Sequence, residues 1–301
     1  MAYRTVYITN PTHLHTRAGN MILSYADGND VAVPLEDIAT VIIEHPQVTL
    51  SAPFMSECMH NDVAVYFCND QHLPHGIALP FQSHVRQRKR MQQQLAMKAV
   101  FKKRLWQLLV REKIRNQARV LKLLGSSGAD QLMMTAARVK SGDAGNLESY
   151  AARFYFQRLF PEGFARFADD TTNAALNYGY AVIRGAIARS LAAYGFIPSI
   201  GIHHKNEYNN FNLADDLIEP FRPVVDLVVA SHPELDETLN PAVKASLVRS
   251  LGIQVTQDDK RMSTQNAIEE MVKSLVTAVE NNSPGSLKLP VIVAQKQHTY
   301  A

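Results

Sequence analysis

Residues 201–223 concentrate side chains that can bind a metal ion or transfer a proton. Two imidazoles, His203 and His204, are followed within this segment by carboxylates that include those of Asp215, Asp216 and Glu219. Asp216 and Glu219 are three residues apart, and the apolar residues around them recur at helical spacing, so we expect both carboxylates to project from neighbouring positions of one helix. His204 precedes this helix in a predicted loop, from which its ring can reach the same point.

An imidazole and carboxylates that converge on one point commonly bind a divalent cation while leaving coordination positions open. Such an ion can activate an oxygen nucleophile and neutralise phosphate charge. A solvated acidic helix start with a histidine in the preceding loop would contain the same residue types. The segment taken alone is compatible with both interpretations.

The composition indicates a globular chain long enough for two domains. It has 301 residues, of which 46% are hydrophobic. No apolar run is long enough to span a bilayer, and the first residues lack the layout of a signal peptide, so we expect a soluble intracellular protein. Cys58 and Cys68 are too few for a disulfide framework, and we expect two reduced thiols.

Positive charge is strongly concentrated in one segment of the chain. Residues 86–122 hold thirteen basic residues and one acid, Glu112, a formal charge of +12, whereas the whole chain carries only +3. A surface of a single sign is expected where phosphates bind, so this segment predicts contact with nucleic acid. The residues predicted to bind DNA are Arg86, Arg88, Lys89, Arg90, Lys102, Lys103 and Arg104.

The pattern predicts an α+β protein with a β-rich N-terminal domain, residues 1–84, followed by a larger all-helical domain, residues 85–301, that ends in an extended tail. The first part contains short runs rich in valine, isoleucine and tyrosine between turn residues, including a hairpin around Asp27-Gly28. From about Ser83 the apolar spacing lengthens to that of helices. One helix over roughly 85–124 is predicted first, with Met91, Leu95 and Val100 in its buried stripe.

Further elements follow from capping and breaking residues. Asn146 is a predicted N-cap that places Glu148 in the first turn, where the helix dipole favours a carboxylate, and this capping role would by itself explain Glu148. A kink is expected at Pro220. The other predictions are helices over 130–140, 174–194, 240–251 and 264–281 and a hairpin over 253–262.

Several segments together resemble the CRISPR-associated protein 1 family, the integrases of spacer acquisition, along nearly the whole chain. The similarity is most specific in GIHHKN followed by ADDLIEPFRP, and it includes RTVYITN, NLESYAARFYF and NAALNYGYAVIRG. The chain looks most like the type II branch. The resemblance implies a β-rich dimerisation domain and a helical catalytic domain.

The resemblance also implies site residues and a cofactor. The metal-binding and catalytic positions of the family match Glu148, His204 and Glu219, and Asp216 matches an acidic position that assists them. The implied cofactor is Mg²⁺ or Mn²⁺. His203 stands where relatives often carry an apolar or aromatic residue, which leaves its role open.

The implied reaction is the attack of a 3′-hydroxyl of a short duplex on a phosphodiester at the edge of a CRISPR repeat. The implied partners are double-stranded DNA (spacer precursor and repeat), a second copy of the chain in a homodimer, and a dimer of CRISPR-associated protein 2. The type II effector nuclease and an accessory protein are further candidates. The implied location is the cytoplasm of a prokaryote.

Two other functions are compatible with parts of the sequence. One is a non-catalytic DNA-binding scaffold in which the carboxylates only cap helices. The other is an unrelated metal-dependent phosphohydrolase of small nucleotides, which would not need the extended positive charge of residues 86–122.

Overall fold

The computed structural model describes residues 4–70, 74–80, 85–232 and 239–294. The chain divides into two compact units, one formed by residues 1–91 and 188–196 and the other by residues 92–187 and 197–301. The domain boundary predicted after residue 84 and the final residues of the predicted tail, 295–301, lie outside the described part.

The described residues of the first unit form two four-stranded sheets. In one, with the order β1-β5-β7-β8, the first three strands are parallel and β8 is antiparallel to β7; the other has the order β4-β3-β2-β6. The elements are β1 (Arg4–Ile8), β2 (His13–Arg17), β3 (Asn20–Ser24), β4 (Asp30–Pro34), β5 (Ile38–Ile43), β6 (Thr49–Leu50), α1 (Ala52–His60), β7 (Ala64–Cys68) and β8 (Pro74–Ala78).

Local sequence explains these elements. All six residues of β5 are buried, as expected for a β-branched run covered on both faces. The turn between β3 and β4 uses Gly28 at φ +84°, which agrees with the predicted hairpin. The Ser51 hydroxyl accepts a hydrogen bond from the Phe54 amide at 3.3 Å and so caps α1.

The second unit is mainly helical and carries a small sheet, in which β9 lies between β10 and β11. The predicted hairpin is therefore present, and the α+β fold class is confirmed. Two helices, Gln87–Leu95 and Thr171–Ala193, contribute residues to both units. The elements are α2 (Gln87–Leu95), α3 (Ala99–Leu123), α4 (Ala129–Arg138), α5 (Leu147–Leu159), α6 (Thr171–Ala193), α7 (Asn212–Ile218), α8 (Arg222–Ala230), α9 (Pro241–Arg249), β9 (Gln254–Gln257), β10 (Lys260–Ser263), α10 (Thr264–Glu280) and β11 (Val291–Ile292).

None of the helices in the described ranges has both the length and the apolar character needed to cross a membrane. The predicted kink at Pro220 is present, because a single 3₁₀ turn, Glu219–Phe221, separates α7 from α8. This turn places Glu219 where the helical path changes.

The prediction of one helix over 85–124 was wrong. The chain leaves the helix between α2 and α3, and Lys98 has extended backbone angles. Gln94 accounts for the break, because its buried side chain donates to the Ile197 and Ile200 carbonyl oxygens at 2.9 and 2.7 Å and so ties the end of α2 to another segment. The buried stripe begins only in α3, and Met91, Leu95 and Val100, predicted to be buried, are 37%, 59% and 63% exposed.

The extended tail predicted from the sequence packs on its own unit as far as β11. Asn116 of α3 holds it: the side-chain amide donates to the carbonyl oxygens of Pro220 and Pro290 at 2.8 and 2.9 Å, and its oxygen accepts from the Ile292 amide at 3.0 Å. One fully buried side chain thus joins the 3₁₀ turn at Pro220 to the C-terminal strand.

We expect Asn116→Ala to lower the free energy of unfolding by roughly 2–4 kcal/mol, because it leaves several buried backbone groups without partners. Urea denaturation followed by circular dichroism measures the change. Arg104→Ala, an exposed substitution on the same helix, is the control and should change stability by no more than about 0.5 kcal/mol. Equal effects of the two substitutions would contradict this account.

Candidate active site

Asp216 organises the loop that carries the two histidines. Its carboxylate is fully buried and accepts hydrogen bonds from the Ile202, His203 and His204 amides and from Nδ1 of His204, the last at 2.8 Å. Because Nδ1 donates to Asp216, Nε2 is the ring nitrogen that carries the lone pair. The predicted assisting residue therefore positions His204.

The same loop depends on a close backbone approach at Gly201. A Cβ at this position would collide with the His204 carbonyl oxygen and would lie 2.9 Å from Oδ2 of Asp216. Lys102, which is half-buried, approaches the Gly201 carbonyl oxygen from α3 at 3.4 Å. Glycine is needed here for space, and Lys102 supports the loop rather than being fully available to DNA.

Glu148 lies in the first turn of α5, as predicted, but Asn146 does not cap this helix. Asn146 occupies the N-cap position at φ +48°, and its side chain makes no capping bond. Instead, the Asp143 carboxylate accepts from the amides of Leu147 and Glu148 at 3.0 and 2.9 Å. Since Asp143 satisfies the helix start, the Glu148 carboxylate can serve another purpose.

Glu219 is held ionised inside the protein. Burial disfavours its charged form, but the positive charges of Arg222 and Lys113 outweigh burial and lower the pKa of Glu219 to about 2. Nε of Arg222 donates to Oε1 of Glu219 at 2.8 Å, and its guanidinium lies 4.6 Å from the centre of the Tyr180 ring.

Lys113 joins the two glutamates. Its ammonium contacts one oxygen of Glu148 and one oxygen of Glu219, although the three residues come from separate segments. Burial alone would lower the pKa of Lys113, but the two carboxylates raise it, so the side chain stays charged. Sequence reasoning counted Lys113 only as part of the basic segment and missed this role.

A signal for Lys113 was present in the helical spacing. Leu105, Leu109, Asn116 and Val120 are fully buried, and with Lys113 between Leu109 and Asn116 they form a series with intervals of three or four residues. Lys113 falls in the same series, where a charged side chain requires a buried partner. A lysine in a buried stripe therefore predicts an internal carboxylate.

Aromatic stacking fixes His203, whose role the sequence left open. Its ring lies parallel to the indole of Trp106 with centroids 4.1 Å apart, and the ring of His204 meets the same indole edge-on at 5.7 Å. Burial lowers the pKa of His203, whereas the hydrogen bond to Asp216 raises the pKa of His204. The two neighbouring histidines thus have opposite electrostatic environments.

Asp226 is a further buried carboxyl group of this site. Burial raises the pKa of Asp226 to about 6, although a short hydrogen bond from the Tyr180 hydroxyl opposes the shift. The Tyr180 ring also faces the guanidinium of Arg166, 5.3 Å from its centroid. This cluster supports Arg222, which stacks on the same ring.

These groups line a cavity of about 240 Å³. Its walls include Lys113, Glu148, Glu219 and Arg222, and the almost fully exposed Phe167 stands at its edge. His204 is not among the lining residues, but Glu219 contributes to the raised pKa of His204, so the two groups are within electrostatic reach.

The types of donor group suit a divalent cation, although Glu148, Glu219 and His204 are not gathered around one point. Two carboxylates already face one positive centre, and His204 offers a neutral nitrogen whose opposite side is fixed by a carboxylate, as in many metal-binding histidines. Within the described ranges, no three His, Cys, Asp or Glu side chains stand close enough to hold one ion. In the described arrangement the positive charge between the glutamates is that of Lys113.

The basic segment divides into two parts. Towards its C-terminal end, basic side chains of α3 have fixed partners: Arg111 donates to the Val139 carbonyl oxygen, and Arg115 and Arg119 pair with Glu112. Towards its N-terminal end, five of the residues predicted to bind DNA are exposed: Arg86, Arg88, Lys89, Lys103 and Arg104.

Arg90 differs from the other predicted DNA-binding residues. It is only 6% exposed, and its guanidinium lies 5.4 Å from the centre of the Phe196 ring. A buried guanidinium packed on an aromatic ring is not placed for phosphate contact, so the expectation for Arg90 does not match its position.

Proteins with solved structures share this two-unit fold. A Cas1 protein from Thermotoga maritima superposes with a TM-score of 0.73 and 17% identity, covering 97% of this chain and all of that chain. A casposase solved with its integration product gives a TM-score of 0.73 at 18% identity, with 94% of this chain and 91% of that chain covered. At these identities the likeness shows the fold.

Sequence comparison gives the family. The family model described as CRISPR associated protein Cas1 matches residues 6–236. The CRISPR-associated endonuclease Cas1 of Neisseria meningitidis is 40% identical over 304 residues, covering all of both chains. The chain belongs to the Cas1 family, which confirms the resemblance found in its motifs.

We expect Asp226→Asn to change how stability depends on pH. Between pH 3.8 and about 6 the folded protein keeps a proton on Asp226 that the unfolded chain has lost, so this group reduces wild-type stability as pH rises through that window. The stability of Asp226→Asn minus that of wild type should therefore increase by on the order of 3 kcal/mol up to about pH 6 and then level off. Urea denaturation at several pH values checks this, and a constant difference would contradict it.

Proposed function

We propose that this chain is a DNA integrase and endonuclease of CRISPR spacer acquisition that depends on Mg²⁺ or Mn²⁺. The observation that carries the proposal is the convergence of Glu148 and Glu219 on one positive centre. His204, whose ring is held by a buried carboxylate, lies within electrostatic reach of Glu219. Membership of the Cas1 family supports the same conclusion.

Each residue has a role that follows from its chemistry. Glu148, Glu219 and Nε2 of His204 would hold the metal ion; Asp216 orients His204, and Arg222 orients Glu219. When bound, the ion would supply the positive charge that activates a hydroxyl and stabilises a phosphodiester in reaction. Gly201, Lys102 and Trp106 support the loop that presents His204.

The reaction is a transesterification. The 3′-hydroxyl of a short duplex loses its proton as its oxygen bonds to phosphorus, and the bond from phosphorus to the 3′-oxygen at the repeat edge breaks, so the strand is joined without a covalent enzyme intermediate. Attack by water on the same phosphodiester gives endonuclease cleavage.

DNA contact would come from the exposed basic residues before residue 105. Basic side chains that contact phosphates bind a duplex without recognising its bases, which suits an enzyme whose substrates vary in sequence. A solved complex of a Cas1 with DNA has the same fold, with a TM-score of 0.54.

We further propose that the chain forms a homodimer and assembles with a dimer of CRISPR-associated protein 2. A solved Cas6-RT-Cas1–Cas2 complex contains a chain of similar fold, with a TM-score of 0.74; the present chain corresponds to 36% of its length. The type II effector nuclease and an accessory protein are further proposed partners.

The pairing of both glutamates with basic side chains favours a second candidate, a non-catalytic DNA-binding scaffold. In such a protein Lys113 and Arg222 would neutralise the carboxylates permanently. Calorimetric titration with Mn²⁺ distinguishes the two functions, because a scaffold has no metal site to which His204 contributes. A heat of Mn²⁺ binding that is present in wild type and absent in His204→Ala supports the enzymatic function.

We expect Glu148→Gln, Glu219→Gln and His204→Ala each to lower strand transfer by at least about 100-fold, since each removes a ligand of the reacting ion. The assay follows the joining of a labelled duplex to a supercoiled plasmid in Mn²⁺. Glu112→Gln is the matched control: this carboxylate is also buried and ion-paired, but lies outside the cavity, and the variant should stay active. Full activity in any of the three would refute the assignment.

We expect two charge reversals to weaken duplex binding separately. Arg88→Glu with Lys89→Glu tests α2, and Lys103→Glu with Arg104→Glu tests α3. Each pair should reduce the slope of log affinity against log salt by about one for every phosphate that the variant no longer binds. Fluorescence anisotropy measures the affinity, and the exposed pair Lys260→Glu with Arg261→Glu is the control. Unchanged binding would assign these side chains to solubility or to a protein partner.

A further inference from the structure

Lys113 occupies the position between Glu148 and Glu219 where the proposed function requires a metal ion. Its side chain is buried, and its ammonium contacts both carboxylates. The side chain of Glu148 is 29% exposed, whereas that of Glu219 is almost completely buried.

Two carboxylates so close together need a cation between them. Without one, each raises the cost of ionising the other, and the pair separates or takes up a proton. Before metal arrives, Lys113 is the group that meets this need. Arg222 cannot replace it, because its Nε points to Glu219 and its guanidinium is stacked on Tyr180.

We propose that Lys113 is a built-in counter-ion that holds the site assembled without metal and is displaced from between Glu148 and Glu219 when the metal binds. This inference rests on the proposed function. Lysine suits such a role because its charge is at the end of a flexible stem, whereas the planar guanidinium of arginine is held in one orientation.

The cavity beside Lys113 has space for the displaced ammonium. Lys113 lines the same cavity as the two carboxylates, and Gln117, one turn further along α3, is also in its wall. A short movement of the lysine stem keeps the ammonium beside the cavity, where it remains attracted to the negative charge of a bound phosphodiester.

The consequence is competition. Metal binding must break two ion pairs of Lys113, so the wild-type lysine weakens metal affinity while it stabilises the metal-free fold. Replacing Lys113 by a neutral residue should therefore have opposite effects on these two quantities. A lysine with a purely structural role would give lower stability without tighter metal binding.

The test is calorimetric titration of Mn²⁺ into wild type, Lys113→Met and Lys113→Gln at fixed pH. We expect both variants to bind Mn²⁺ at least tenfold more tightly than wild type. In EDTA the variants should have lower melting temperatures than wild type. Saturating Mn²⁺ should raise their melting temperatures by more than it raises that of wild type. Lys288→Met, which removes a lysine paired with Asp258, is the control and should leave Mn²⁺ affinity unchanged.

Wild-type protein provides a measurement that does not depend on a variant folding. Brief acetylation with an amine-reactive reagent, followed by mass spectrometry, should modify Lys113 at least threefold faster with Mn²⁺ than without it, while Lys288 does not change. Faster modification supports displacement, and equal modification overturns it. If wild type binds Mn²⁺ and the two Lys113 variants bind it no more tightly, this inference alone is overturned. Absence of Mn²⁺ binding by wild type would overturn the proposed function and this inference with it.

Discussion

The ion pairs between Lys113 and the two glutamates are the constraint on which the site depends. Two like charges a few ångströms apart repel by several kcal/mol even at an effective dielectric constant near 20, so this geometry requires a positive charge between them. Lys113 provides it from the middle of the buried stripe of α3. Removing one partner of such a buried pair typically costs roughly 3–5 kcal/mol, so the position of α3 and the position of the carboxylates are set together.

Asp216 has a different role, because it holds the loop that carries His203 and His204 in one conformation. A carboxylate with about four acceptor sites receives three backbone amides and one imidazole, so its hydrogen-bonding capacity is filled. The backbone bonds fix the path of the loop and the imidazole bond selects the tautomer of His204. The glutamates are held by charge and the histidine by hydrogen bonds, so the conformation of the loop does not depend on the ion pairs of Lys113.

The sequence was most informative where a single local rule decides the structure. Such rules made four features predictable: the hairpin at Gly28, the Ser263 cap of α10, the kink at Pro220 and the position of Glu148 in a first turn. The break between α2 and α3 was not predictable, because it depends on Gln94 bonding to residues about one hundred positions later. For the same reason, the pairing of Lys113 and the docking of the tail on Asn116 could not be located from local pattern. Family resemblance supplied the proposed site positions and Asp216, which holds His204, but not Lys113 and Arg222, which hold the glutamates.

The charge of the basic segment has two physical uses, and their separation along the chain explains its size. Basic side chains from Arg111 to Arg119 neutralise internal carboxylates or cap a backbone carbonyl, so most of their charge is compensated inside the second unit. Glu112, the one acid of the segment, is committed to Arg115 and Arg119, so it does not compensate the exposed basic residues before residue 105. The charge that reaches solvent is therefore smaller than +12, and it lies mainly at the N-terminal end. The duplex binding proposed for this surface should accordingly depend on a few phosphate contacts per chain rather than on the whole segment.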